Sequence, residues 1–236
     1  MKISLIICAY NEEKYIGECL KSIIDNPSNK FHEIIVVDNN STDGTRKIVE
    51  KFKEVKLVTE LNKGPNHARQ KGFEVSTGEI LGFIDADTRM PENWFEILVR
   101  EFNDDQNLVC LSGPYVYYDF SKWKQFLSMV YWYVAYPIYL IIGYMAIAGN
   151  FIIKRDVMKK NNGFDTSIAF YGDDTDNARR ASKYGKVKFK LDFVIYSSAR
   201  RLNGQGTFRT GVLYVANFFS EVLMHKPITK NYQDIR

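Results

Sequence analysis

An α/β fold, a mostly parallel sheet flanked by helices, is what the 236-residue sequence predicts, and three observations predict it. Short apolar runs recur at residues 3–8, 33–38, 55–59 and 80–84, and they are continuous rather than alternating. That is the pattern of strands buried on both faces, as parallel strands are. Stretches of helical period separate them, at about 13–25, 44–53 and 66–76. Acids stand where the apolar runs stop, Asp38 after the second and Asp85 and Asp87 after the fourth, and in open α/β sheets ligands sit beyond the carboxyl ends of strands.

Composition bounds the rest. A hydrophobic content of 45% is enough to fill a core. A formal charge of +4 and an isoelectric point near 8.8 suit a nucleotide diphosphate or an anionic membrane surface and fall far short of a nucleic-acid-binding signature. Cys8, Cys19 and Cys110 are odd in number and lie in apolar or helical contexts, so they read as small buried hydrophobes in a reducing compartment. His32, His67 and His225 are scattered and form no ligand cluster. The amino terminus reads as a first strand, since its apolar run is short and no small-residue cleavage site follows it.

Taken in order, the strand at 3–8 breaks at Ala9-Tyr10-Asn11-Glu12 into the first helix, which ends near Asn26-Pro27. The strand at 33–38 is followed by Asn39-Asn40-Ser41-Thr42-Asp43-Gly44, a turn whose Ser41, Thr42 or Asp43 caps the next helix. Asn62-Lys63-Gly64-Pro65 opens the third helix, which carries Arg69. The fourth strand runs into Asp85-Ala86-Asp87. Two carboxylates at period two lie on one side of an extended chain and converge on one ion. Mg²⁺ or Mn²⁺ takes such oxygen ligands and completes its shell with water and phosphate oxygens, so the implied ligand is a metal–diphosphate. A strand ending in a polar turn is the competing reading of this pair alone. A helix follows from Pro91 to about 103, then a strand at 108–114.

The composition then changes. Residues 126–148 carry no formal charge and include five tyrosines, one tryptophan and a central Pro137. The length qualifies as a membrane span. A single crossing, however, would separate the two halves of a site whose residues lie on either side of it. The expectation is two short helices lying at a membrane interface, with aromatic rings keeping one end wet. A return strand is expected at 149–153, a short helix at 155–160, a helix opening on Asp173, Asp174 and Asp176, and one or two strands at 187–197. Residues 198–206 read as a basic, glycine-bearing loop with Arg200 and Arg201. An amphipathic helix over 207–224, with Phe208, Val212, Leu213, Val215, Phe218, Phe219 and Leu223 on its apolar face, precedes a polar tail from 225 to 236.

Four segments in this order, SLIICAYNEEKYIGECLKSI, EIIVVDNNSTDGT, NKGPNHARQKGFEVSTGEI and LGFIDADT, resemble the nucleotide-binding half of the family 2 glycosyltransferases of GT-A fold. The later block GFDTSIAFYGDDTDNARRASKYGKV resembles their acceptor side, with Asp173-Asp174 where the family usually has Glu-Asp. The resemblance implies a nucleotide-sugar donor, UDP- or GDP-linked, held by Ala9, Tyr10, Glu12, Asp38, Arg69, Asp85, Ala86 and Asp87. It implies Mg²⁺ or Mn²⁺ on Asp85 and Asp87, and Asp174 as catalytic base. Asp173, Asn150, Arg200 and Arg201 are expected toward the acceptor and diphosphate. Helix capping is the competing reading of the Asp173-Asp174 pair. The Gln-x-x-Arg-Trp signature of processive members does not occur, which argues against polymer synthesis. The expected organisation is a nucleotide-sugar half at 1–114 and an acceptor half at 115–224, with the membrane met through 126–148 and through 207–224. The expected activity is inverting transfer to a lipid-linked or cell-envelope glycan acceptor at the cytoplasmic face, peripheral on the cell membrane. A nucleotidyltransferase and a catalytically silent membrane-binding module are the alternatives.

Overall fold

The structure is a computed structural model, and it describes residues 1–168, 172–224 and 229. Strands β1 (Ile3–Ala9), β2 (Glu33–Asp38), β3 (Val55–Thr59) and β4 (Ile80–Asp85) alternate with helices α1 (Ile16–Ile24), α2 (Thr45–Val49) and α3 (Pro65–Val75). All four strands run parallel, as continuous apolar runs require. There follow β5 (Thr88–Arg89), α4 (Trp94–Asp104), β6 (Leu108–Ser112), β7 (Tyr115–Tyr117) and α5 (Lys122–Ile142). The chain continues through β8 (Asn150–Lys154), α6 (Arg155–Lys160), α7 (Asp173–Ser182), β9 (Lys186–Phe189), β10 (Ile195–Ser197), α8 (Arg200–Gln205) and α9 (Thr207–Met224).

Seven strands form one sheet in the order β3-β2-β1-β4-β8-β6-β9. Only β8 runs against its neighbours, between β4 and β6. Residues from either side of the apolar insertion therefore share one sheet. Both faces of that sheet are buried. Successive residues of β1 show it: Leu5 and Ile7 pack with Leu20 and Trp94 under α1 and α4, while Ile6 packs with Ala68, Val157 and Ala178 under α3, α6 and α7.

Two expectations are corrected, and one sheet is added to them. The insertion is one helix, α5, not two, and it runs through Pro137 from a Ser121 cap to a left-handed Gly143. Pro137 is exposed, as is Tyr133 one turn before it, so the carbonyl that proline leaves without a helical partner lies on the outward side of the helix. Residues 200–205, expected as loop, form α8. Finally, a second sheet of order β5-β10-β7 was not foreseen, because strands of two and three residues leave no periodicity to read.

Both ends of α5 are tied to the body. Gln125 donates to the Tyr117 carbonyl at 3.1 Å and the Tyr139 hydroxyl to the Val187 carbonyl at 3.2 Å. The helix thus lies along the protein and the chain returns at β8 to the sheet it left. Among the described residues α5 is the one helix long and apolar enough to cross a membrane. Tail residues 225–228 and 230–236 and the side chain of Phe208 lie outside the described residues.

Candidate active site

The parallel strands deliver their carboxyl ends to one edge, and a cavity of about 1280 Å³ opens there. Asp85 closes β4 beside Cys8 of β1. Ala86 and Asp87 then form a turn leading into β5. Pleat alternation is therefore not what aims the two acids; the chain turns between them and different cations hold them.

Arg69, buried on α3, donates to Asp85 Oδ1 at 3.3 Å and to Asp173 Oδ2 at 2.7 Å. A guanidinium is planar and many-handed, so one side chain clamps two carboxylates from opposite ends of the chain. Tyr115 of β7 holds the other oxygen of Asp85 at 2.9 Å. Asp87 Oδ2 forms an ion pair with Arg200 Nε at 2.9 Å, and the same guanidinium pairs with the buried Glu12 and lies 4.7 Å from the centre of the Tyr15 ring.

Asp173, Asp174 and Asp176 occupy the first turn of α7, where the helix dipole favours acids. The helix begins on Gly172 at φ +87°, a left-handed conformation that glycine adopts without strain. Asp174 Oδ1 accepts from the Thr175 amide at 2.7 Å within the first turn and does not cap the helix, whose cap is Gly172, so a first-turn place on the helix dipole and a place on the cavity wall hold together. Its carboxyl lies close enough to the Ala148 backbone for that dipole to act on its ionisation. The next residue, Gly149, lies so close to Asp85 and Tyr115 that a Cβ there would collide with both. Asp174 and Asp85 are thereby brought to adjacent points of one loop.

Burial is the main reason Asp173 and Asp174 both stand above the ordinary carboxylate value, Asp173 at about 7. Arg69 works in the opposite direction on each, and the Asp174 charge raises Asp173 further. The neighbours titrate as a unit. Burial, then the Asp85 charge, also pushes the Tyr115 phenol well up, so it donates to Asp85 as a neutral hydroxyl.

The cavity wall gathers Ala9, Tyr10, Glu12, Arg69, Asp85, Ala86, Asp87, Asp173, Asp174, Arg200 and Arg201. Two expected residues are absent from it. Asp38 is buried with Oδ1 accepting from the Ser41 amide, which makes it the acid of the β2–α2 turn. Asn150 is enclosed by Trp94, whose indole donates to it, and by the carbonyls of Gly113 and Phe193, to which it donates. It fastens strands and has no amide left for an acceptor. Arg69, expected among the residues that hold the donor, is engaged by two carboxylates. Sequence reading missed Tyr115 and Gly149. It also missed Asn39, which accepts from the Gly64 amide at 2.8 Å and so pins the start of α3 beside the cavity.

A parallel sheet with acids at its carboxyl edge and an antiparallel return strand is the GT-A class of fold. Residues 4–162 match the family described as glycosyl transferase family 2, and the chain belongs to that family. It is 26% identical over 216 residues to the glucosyl-dolichyl phosphate glucuronosyltransferase of Haloferax volcanii, a match covering 86% of this chain and 69% of that protein. Against other curated relatives it spans 17% to 36% of their length, 33% for the glycosyltransferase AglE of the same organism. In fold it resembles the mannosyltransferase PcManGT from Pyrobaculum calidifontis in complex with GDP-Man and Mn²⁺, with a TM-score of 0.70 at 20% identity over 95% of this chain and 63% of that one. S. aureus TarS 1-349 in complex with UDP-GlcNAc gives a TM-score of 0.65 at 22% identity, over 84% of this chain and 58% of that one.

Proposed function

We propose that this glycosyltransferase moves a sugar, with inversion, from a UDP- or GDP-sugar to a lipid-linked or cell-envelope glycan acceptor at the cytoplasmic face of the membrane. The observation that carries the reading is the convergence of Asp85, Asp87 and Asp174 on one cavity. In this reading residues 1–114 bind the donor, through Ala9, Tyr10, Glu12 and the Asp85–Asp87 turn, and residues 115–224 present the acceptor.

Asp174 takes the proton of the attacking hydroxyl as the acceptor oxygen bonds to the anomeric carbon. The bond from that carbon to the diphosphate breaks, and its electron pair leaves with the nucleoside diphosphate. Arg200 and Arg201 offset the charge that gathers there. Arg69 holds Asp85 and Asp173 in place from behind the site. Asp85 and Asp87 would hold Mg²⁺ or Mn²⁺, which when bound neutralises charge on the diphosphate. The donor set fits such an ion: the acids are hard oxygen ligands, and their preference for a cation is visible in the seat of Arg200 between Glu12 and Asp87. Among the described residues no three metal-ligating side chains cluster, which suits an ion that draws the rest of its shell from phosphate and water.

The relative named for glucosyl-dolichyl phosphate and the neighbour crystallised with GDP-Man and Mn²⁺ support the choice of acceptor class, donor and metal. Thermal-shift titration with UDP, GDP, CDP and dTDP, with and without Mn²⁺, tests it. One diphosphate should raise the melting temperature in the presence of Mn²⁺, by about 2.7 kcal/mol of stability at a hundredfold excess over Kd, and Asp87→Ala should abolish the gain. Turnover should release free nucleoside diphosphate. Release of pyrophosphate would make the protein a nucleotidyltransferase, and no response to any diphosphate would remove the donor site.

A further inference from the structure

The cavity does not end at the carboxylates; past Asp174 it continues as a groove between α5 and α9. Leu127, Tyr131, Val134, Ala135 and Ile138 line it from α5, at spacings of three and four that form one stripe along the helix. Val212, Val215 and Phe219 face them from α9. Tyr131 stands at the junction, its phenol pushed up first by burial and then by the Asp174 charge. Among the described residues the one charged side chain that either helix adds to the lining is Lys124, near the start of α5.

A sugar or a diphosphate in such a groove would lose hydrogen bonds to water and find few replacements. A hydrocarbon chain loses none. The whole cavity, at about 1280 Å³, also exceeds the roughly 300–1,000 Å³ of ordinary small-molecule sites, so it has room beyond a donor. We propose that the groove between α5 and α9 holds the hydrocarbon tail of an amphiphilic acceptor, an alkyl or polyisoprenyl chain, laid so that its polar head meets Asp174. The role of the head rests on the transferase reading above; the groove's affinity for a chain does not.

The test is calorimetric titration of the full chain with n-decyl phosphate below its micellar concentration, with inorganic phosphate as the headgroup control. The wild-type protein should bind the decyl compound and give no signal with phosphate alone. Val134→Glu and Val215→Glu place a charge in the groove at positions already open to solvent, and each should weaken decyl phosphate at least tenfold. Ile141→Glu, on a part of α5 outside the groove, should stay within twofold of wild type. The inference is overturned if decyl phosphate does not bind, if the groove variants bind as wild type does, or if Ile141→Glu loses as much as they do. It is equally overturned if light scattering shows a dimer that Val134→Glu dissociates while decyl phosphate gives no heat, because a second copy then fills the groove. The nucleoside diphosphate thermal shift, run on the same samples, reports folding and separates the two readings. A retained shift without chain binding removes the groove alone, whereas chain binding without any shift removes the donor site and leaves the groove.

Discussion

At the carboxyl edge of β4, charges are matched side by side: Arg69 sits between Asp85 and Asp173, and Arg200 between Glu12 and Asp87. Along α5 the opposite holds. Trp123, Phe126, Tyr133, Leu140 and Ile141 stand exposed, and 6% of the helix's most apolar stretch is buried. The first region satisfies its own electrostatics before any ligand arrives, so its geometry is preorganised. The second carries an apolar surface far larger than its fold uses, and such surfaces mark contact with an apolar partner or phase. The contrast predicts that changes at the edge damage chemistry or folding, while changes on outward α5 damage neither.

Asp174→Asn should produce the largest loss, because it keeps the shape of the side chain and removes its basicity. We expect kcat/KM to fall by roughly 10²–10⁴, with the nucleoside diphosphate thermal shift unchanged. The pH profile sharpens the point. A base works only when ionised, and burial holds Asp174 above its ordinary value of about 3.9, so wild-type activity should fade on the acid side at a pH above that value. The residual activity of the asparagine variant should lack this limb. A loss below tenfold would mean that the acceptor oxygen arrives already anionic and that Asp174 orients it.

Arg69→Met comes next. It strands a carboxylate, Asp173, that is 7% exposed, and breaking a buried pair in this way costs about 3–5 kcal/mol. Denaturant unfolding should show the loss, and the loss should shrink on acidification. The sign follows from linkage. The folded Asp173 sits near 7, above its unfolded value, so the native state binds the extra proton and gains stability below that pH, losing it as pH rises through it. A variant as stable as wild type would show that the acids do not need their clamp.

The difference between the two regions also accounts for what could be read from the sequence. The parallel sheet was legible because Ile3 to Cys8 and Ile80 to Ile84 carry their pattern within a few adjacent residues. The acids were legible because strand ends are marked by an abrupt change from apolar to charged. What escaped depends on contacts across the chain. Nothing local in Asn150 says that Trp94, Gly113 and Phe193 will close around it, and nothing in Asp38 says that its partner is the Ser41 amide. Pro137 pointed to a break in α5 because the sequence does not tell that it faces outward.

Gly149→Ala is a finer probe of the matched edge. A methyl group at that position meets the Asp85 carboxylate and the Tyr115 hydroxyl, so both must move while the core under them is untouched. Displacement on the scale of an ångström costs about 10²-fold in a positioned reaction. We expect a loss of that order in kcat/KM with a near-native melting temperature. Activity within threefold of wild type would show that the position of Asp85 is not critical.

Leu140→Glu with Ile141→Glu should have the smallest effect on the isolated protein and a clear one on its surface behaviour. Both side chains are exposed, at 63% and 86%, and neither lines the cavity. Substitutions at such positions change stability by no more than about 0.5 kcal/mol. The helix should keep its place, since Gln125 and Tyr139 tie it to the body independently of them. If this part of α5 rests on a bilayer, two carboxylates at its apolar surface oppose both burial and attraction to anionic lipid. Co-sedimentation with anionic vesicles should then drop several-fold relative to wild type, while the nucleoside diphosphate thermal shift stays the same. Equal sedimentation of variant and wild type would show that something other than lipid covers this end of α5, and the contrast between the two regions would have to be explained by a protein partner.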